Sequence, residues 1–201
     1  MTRNFKALPA APATTAPAPR RAAGPEELLN LARRKFLRGE RCDIESLAAE
    51  LGVSRATAYR WAGNAEQLMG EVIASVTEAT FRRAAQEVTG KGADRIVAIM
   101  ERGMHAVLDS REYREFLARD PQKSLRIVAS KDGPSQRRAI ELHQALLEEE
   151  LAKGNLQLPV DAHTMAFALV RMAETFLYAD LIAGETPDVD KAVTLLRLML
   201  R

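Results

Sequence analysis

Cysteine is almost missing from this chain: Cys42 is the only one. One thiol excludes an internal disulfide and a cysteine-based zinc site, and it fits a reducing cytoplasm. No run approaches the 18 or more apolar residues of a membrane span, so no membrane partner is expected. Charge of one sign is lacking too. The 29 Lys+Arg and 27 Asp+Glu leave a net +2, which by itself points to no polyanionic partner. Enzyme signatures are absent: there is no Gly-x-Ser-x-Gly elbow, no phosphate-binding Gly-x-x-x-x-Gly-Lys and no His-x-x-x-His pair. The three histidines, His105, His143 and His163, are scattered. The chain therefore reads as a non-enzyme with no metal and no cofactor.

With 201 residues, 47% hydrophobic and 28% charged, it is an ordinary globular chain of one domain or two small ones. Its charge is unevenly spread. Residues 1–62 carry 11 basic and 6 acidic side chains, whereas 63–201 carry 18 and 21. A basic front and an acidic rear suggest two surfaces with different partners. Residues 1–24 have no acid, four prolines and many alanines, a composition that reads as a flexible arm. They lack the apolar core of a secretory signal, and the prolines interrupt the amphipathic helix of a transit peptide. Arg20 and Arg21 could track a DNA minor groove, but an inert tail is the favoured reading.

From Pro25 onward apolar residues recur three and four apart, and no stretch alternates with period two for long. This predicts an all-α protein of about nine helices. Pro25 with Glu26 and Glu27 opens the first, Asp43 caps the second, and a short third follows Ser54. Asn64 starts a long fourth, with Gln67 completing a capping box. The Gly90-Lys91-Gly92 turn closes it. Further helices are expected over residues 93–108, 110–119, 135–153, 161–183 and 186–201, with a broken stretch between Pro121 and Ser130. Three short helices before residue 62 bury little surface alone, so the fourth must back them and serve as a lever between front and rear.

Residues 44–61 read as a helix-turn-helix. Ala48 is small where the second helix crosses, and Gly52 supplies the positive φ that turns the chain. Leu47, Leu51, Val53, Ala58 and Trp61 fix the crossing angle. Ser54 caps the recognition helix and lets its N-terminus face a duplex. Arg55, Ala56 and Thr57 then approach base edges: Arg55 suits guanine, while Ala56 or Thr57 suits a thymine methyl. Tyr59 and Arg60 suit phosphates, which set register.

The core Leu47-Ala48-x-x-Leu51-Gly52-Val53-Ser54-x-x-Thr57-x-Tyr59, followed by Glu66 and Leu68, resembles the TetR family of transcriptional regulators. The resemblance covers residues 26–81. It implies an N-terminal three-helix DNA-binding domain on a linking fourth helix, a ligand-binding and dimerisation domain behind, and a homodimeric repressor released from a palindromic operator by a small molecule. The domain division it suggests is 1–24, 25–72 and 73–201. Ala58, Ala62 and Ala65 replace the Leu, Phe and Lys usual in the family. Ala65 thus removes a common phosphate contact, leaving Arg60 or Arg55 to supply it, and Trp61 should fill the space beside Ala58. The run Tyr59-Arg60-Trp61, with Leu68-Met69-Gly70-Glu71-Val72 after it, looks like the QsdR-type branch. Those regulators are linked to lactone-degrading, quorum-quenching enzymes, which implies a lactone effector.

Polar or aromatic residues within apolar faces of the rear helices are candidate effector contacts: His105, Tyr113, Phe116, His143, Phe167, Arg171, Glu174 and Tyr178. Met100 and Met104 add adaptable surface. Each also has a plainer explanation, such as a bonded core histidine or an Arg171–Glu174 i,i+3 pair. The last two helices are apolar nearly all round, through Met165–Ile182 and Val189–Leu200. This predicts a two-fold dimer through them, with an internal core as the alternative. The rival to the regulator is a helical small-molecule carrier or adaptor that has lost DNA binding.

Overall fold

The computed structural model describes residues 23–131 and 133–201; nearly all of the proposed arm, Arg20 and Arg21 included, lies outside them. Among the described residues there are eleven helices and no strand. They are α1 (Pro25–Phe36), α2 (Ile44–Leu51), α3 (Arg55–Ala62), α4 (Ala65–Glu87), α5 (Gly92–Asp109), α6 (Arg111–Arg119), α7 (Pro121–Ala129), α8 (Pro134–Ala152), α9 (Ala162–Leu177), α10 (Ala179–Ala183) and α11 (Val189–Met199).

Local chemistry explains most boundaries. The Asp43 carboxylate accepts from Ser46 N at 2.8 Å, and Ser54 Oγ accepts from Thr57 N at 3.1 Å. Asn64 and Gln67 exchange both bonds of the capping box, at 2.9 and 3.1 Å. Gly52 sits at φ 68°, ψ 30°, the left-handed conformation that ends α2.

Two expectations change. The stretch after Pro121 is a regular helix: Pro121 occupies its first position and the Asp120 carboxylate caps it through Lys123 N at 3.1 Å. The helix expected to run to residue 183 stops at Tyr178, whose φ −112°, ψ 24° break separates α9 from α10. These two differences turn nine helices into eleven.

α1, α2 and α3 pack on one another, and both α1 and α3 rest on α4. Leu28, Leu31, Leu47, Ala48, Ala58, Leu68 and Val72 form that buried centre. Trp61 is half-buried and packs against this core, in which Ala58 is fully buried. The same α4 continues rearward against α5, α7 and α8. At 23 residues it is about 35 Å long, so one rigid rod touches the front hairpin and the rear core. Phe81 of α4 lies on Gly103 of α5; a Cβ there would come 2.2 Å from the ring.

The apolar faces of the last two long helices are mostly covered within the chain. Met165, Leu169, Val170 and Leu177 of α9, Val189, Ala192 and Leu196 of α11, and Leu200 just after it, are buried among α5, α8, α9 and α11. Their apolar girth thus largely reflects an internal core; Phe167, Ile182 and Leu198, each about half exposed, remain at the surface.

Candidate functional site

The front hairpin presents α3 to solvent. Ser54, Arg55, Ala56, Tyr59 and Arg60 are exposed, Thr57 is half-buried and Ala58 points into the core. This is the outward set that a recognition helix requires. Thr57 Oγ1 is engaged by Ser54 Oγ at 2.9 Å, which leaves the Thr57 methyl as the part free to meet an apolar base edge. Arg55 lies 3.5 Å from the exposed Glu45 carboxylate of α2. In water such a pair is worth little and exchanges easily for a phosphate or a base. Arg60 has no acidic partner among the described residues. Next to Ala65, Glu66 is gripped by Arg126 (2.6 Å) and Lys123 (3.8 Å) of α7. The first turn of α4 thus lies beside α7.

In the rear, Thr77 and Phe81 of α4 close a cavity of about 40 Å³ with Met100, Tyr113, Val128, Ser135, Ala139, His143, Val170, Glu174 and Tyr178. Six helices and the Tyr178 junction converge there. The Tyr113 and Tyr178 hydroxyls are 2.8 Å apart. Burial pushes both phenols well above their usual range, so both stay protonated. Burial also lowers the His143 pKa against the weaker opposing effect of its bond to Ala139, which leaves the ring neutral near pH 7. Its Nδ1 lies 2.8 Å from the Ala139 carbonyl oxygen; that oxygen can only accept, so Nδ1 carries the proton. Phe81 meets the ring edge-on at 4.9 Å. His143 Nε2 is buried without a partner among the described residues.

Glu174 is the site's other perturbed group. Burial raises its carboxyl to about 7, against the pull of Arg171 and of Gln136. Arg171 donates at 3.0 Å, and the Gln136 amide nitrogen, turned toward the carboxylate, donates at 2.7 and 3.2 Å. A carboxyl raised in the folded state keeps a proton that the unfolded chain releases. Stability is therefore full below about pH 4.5 and is lost as pH rises to about 7. Urea titrations from pH 5 to 8 should show the wild type losing on the order of 1–3 kcal/mol relative to Glu174→Gln by pH 7, then running parallel to it. Parallel curves over the whole range would show that Glu174 ionises normally.

Of the ten rear residues picked from sequence, Met100, Tyr113, His143, Glu174 and Tyr178 meet in this cavity. The other five do not. Met104 is buried in the core outside the cavity wall. His105 is exposed, on a shallow surface with Glu87, Arg102 and Asp109. Phe116 packs edge-on against Phe36 at 6.0 Å, at the seam between α1 and α6. Phe167 and Arg171 line an open groove of about 770 Å³ with Ile140, Gln136 and His163. Arg171 reaches the cavity indirectly, through Glu174. Sequence reasoning missed Thr77, Phe81, Val107, Val128, Ser135, Ala139, Val170, Ala173 and Leu177 on the wall, and Gln136 behind Glu174. The i,i+4 spacing of Ser135, Ala139 and His143 on one α8 face was a usable signal for three of the wall positions.

No helix among the described residues is long and apolar enough to cross a membrane, and no cluster of three or more His, Cys, Asp or Glu among them is arranged to hold a metal.

The sequence model of a family described as "Tetracyclin repressor-like, C-terminal domain" matches residues 91–201. Among solved structures, the transcriptional repressor QsdR of the TetR family from R. erythropolis superposes with a TM-score of 0.83 at 31% identity, covering 88% of this chain and 93% of that one. PfmR, a TetR family transcriptional regulator from Thermus thermophilus, superposes loosely: TM-score 0.41 at 19% identity, over 87% of this chain and 97% of that one. No curated protein sequence matches. A family model spanning more than half of the chain, together with the match to QsdR at 31% identity over most of both chains, shows that this chain belongs to the TetR family of transcriptional regulators.

Proposed function

We propose that the protein is a cytoplasmic, homodimeric repressor that leaves a palindromic operator when a small, mainly apolar effector enters the rear cavity. The single observation that supports this most is α4. Its first half backs the recognition hairpin through Leu68 and Val72, while its second half supplies Thr77 and Phe81 to the cavity wall. α7 duplicates the connection, with Val128 on the wall and Arg126 on Glu66. A cavity of about 40 Å³ is far smaller than the ~300–1,000 Å³ of typical ligand sites. An effector therefore binds a state in which α4, α7 and α9 have separated, and this differential affinity drives release. Coupling of about 1–3 kcal/mol would weaken DNA binding some 5- to 150-fold.

On this reading, residues 25–72 form the DNA-binding unit and 73–201 the effector and dimer unit. The two copies associate through the outward residues of the last helices. Phe167, beside the groove between α8 and α9, is the natural centre. A two-fold dimer suits half-sites about 34–36 Å apart, or a multiple of that. The lactone effector implied by the run Tyr59-Arg60-Trp61 makes lactones the first effectors to try.

The test is retention of the full chain on a pool of random duplexes at low salt, with selection of the bound fraction to reveal the half-site. Absence of retention would sink the regulator and favour a carrier. Within a selected site, Arg55→Ala should cost about 1–3 kcal/mol and relax preference at one base pair. Tyr59→Phe should weaken all sites alike by about 1 kcal/mol. Identical footprints for both variants would refute that division of roles.

A further inference from the structure

The polar inventory of the rear cavity narrows the chemistry of what enters it. This step rests on the cavity being the effector site. With Nδ1–H committed to the Ala139 carbonyl at 2.8 Å, the ring of His143 offers one thing to a ligand: the lone pair of Nε2, which is buried and unpartnered among the described residues. A group that merely accepts hydrogen bonds, such as the ring ester of a simple lactone, cannot satisfy it. The Tyr113–Tyr178 pair lines the same cavity. Two hydroxyls carry two protons, and their mutual 2.8 Å bond uses one. The second is left for an acceptor.

Glu174 does not call for a cation, because Arg171 and Gln136 already face its oxygens. An anion is no better served: no Lys or Arg among the described residues lines the cavity, and apart from the hydroxyls of the Tyr pair, Thr77 and Ser135 the wall is chiefly Phe81, Met100, Val107, Val128, Val170 and Leu177. The ligand must therefore be uncharged, carry an N–H or O–H donor close to an acceptor, and be apolar elsewhere. A secondary amide combines donor and acceptor in one planar group.

We propose that the effector is an uncharged secondary amide with an apolar tail, its N–H donating to His143 Nε2 and its carbonyl accepting from the Tyr113–Tyr178 pair. A lactone qualifies when it bears such an amide, and not through its ring alone.

The experiment titrates the full chain calorimetrically with four probes: N-hexanoyl-homoserine lactone, its N-methyl derivative, the γ-lactone of equal carbon number, and N-cyclopentylhexanamide, which keeps the amide and lacks the lactone. Both N–H amides should bind roughly 5- to 100-fold more tightly than the two donor-free compounds. His143→Phe should abolish that preference, bringing the four probes to within about threefold of one another. Because His143→Phe also changes the packing around the ring, nitrogen-15 spectra of the wild-type histidines provide a second reading. The free protein should show His143 protonated at Nδ1, and the Nε2 resonance should move on adding an N–H amide and stay put with the N-methyl derivative.

Equal affinities across the four probes, a preference that survives His143→Phe, a ring protonated at Nε2, or failure of both amides to bind would each overturn the proposal. None of these touches retention on duplex DNA. The amide can thus fail while the regulator stands, and the regulator fails on loss of retention alone.

Discussion

Raising salt from 50 to 200 mM should lower the affinity of the full chain for its selected duplex by about 10³ to 10⁵, the loss expected when roughly 6–10 phosphates are neutralised. Five arginines stand exposed on the front unit: Arg34, Arg38, Arg41, Arg55 and Arg60. Two copies in a dimer bring enough cations to reach that range. Arg55 and Arg38 have exposed acidic neighbours, Glu45 at 3.5 Å and Glu40 at 3.8 Å, but such pairs are weak in water and give way to phosphate. Release of condensed counterions supplies the slope, so it appears even though the whole chain carries only +2. Filter binding at four or five salt concentrations measures it. A flat dependence would mean that α3 is not apposed to a phosphate backbone, and the hairpin would then be a scaffold in a carrier.

The second large effect concerns the far end of the lever. Glu150 of α8 is 1% exposed. Burial would push its carboxyl up, but donors from Gly92 N (2.7 Å), Asn155 (3.0 Å) and Arg95 (2.9 Å) outweigh this and hold it below the usual range. Gly92 stands at φ 62° with a hypothetical Cβ 2.4 Å from the Asn155 carbonyl oxygen, so only glycine lets the α4–α5 turn close onto Glu150. Arg95→Ala should therefore destabilise the fold by about 3 kcal/mol or more, because it strands a buried carboxylate. Lys153, half exposed and 3.9 Å away, is too distant to replace the guanidinium. Pairing Arg95→Met with Glu150→Leu should recover most of the loss, since two apolar groups leave no charge to solvate. Urea midpoints of the two variants decide the matter. A cost below about 1 kcal/mol for Arg95→Ala would show that water reaches Glu150 after all.

The parts of the fold that could be read from sequence are those whose causes lie within a few residues. Gly52, Ser54, Asp43 and the Asn64–Gln67 box each act on backbone groups three or four positions away, so the helix-turn-helix and the start of α4 were recoverable. α7 was obscured because Pro121 resembles a breaker, although it sits where a helix tolerates it. The break at Tyr178 has no local marker; neither Pro nor Gly is there. It coincides with a phenol held against Tyr113, 65 positions earlier.

The rear candidates divide on the same ground. The buried side of α5 runs through Ile96, Met100, Gly103, Met104 and Val107, so His105 falls off it by a fifth of a turn or more, a phase error that arithmetic could have caught. On α9, Phe167 lies away from Met165, Ala166, Leu169 and Val170. By contrast, nothing in the sequence links Thr77 to Ser135 or Val128 to Tyr178, because a cavity wall gathers one or two residues from each of several helices.

The sequence by itself determined the class of this protein: an all-α chain with a capped, glycine-turned hairpin whose outward residues suit DNA. Those signals are short-range backbone chemistry. Only the tertiary structure decided which polar groups share an interior, that His143 is among them with an unbonded ring nitrogen, that the terminal helices are covered mainly from within, and that one rod joins hairpin and cavity. These depend on how helices cross and which faces they bury, and packing of that kind is set by the sum of long-range contacts rather than by any local pattern.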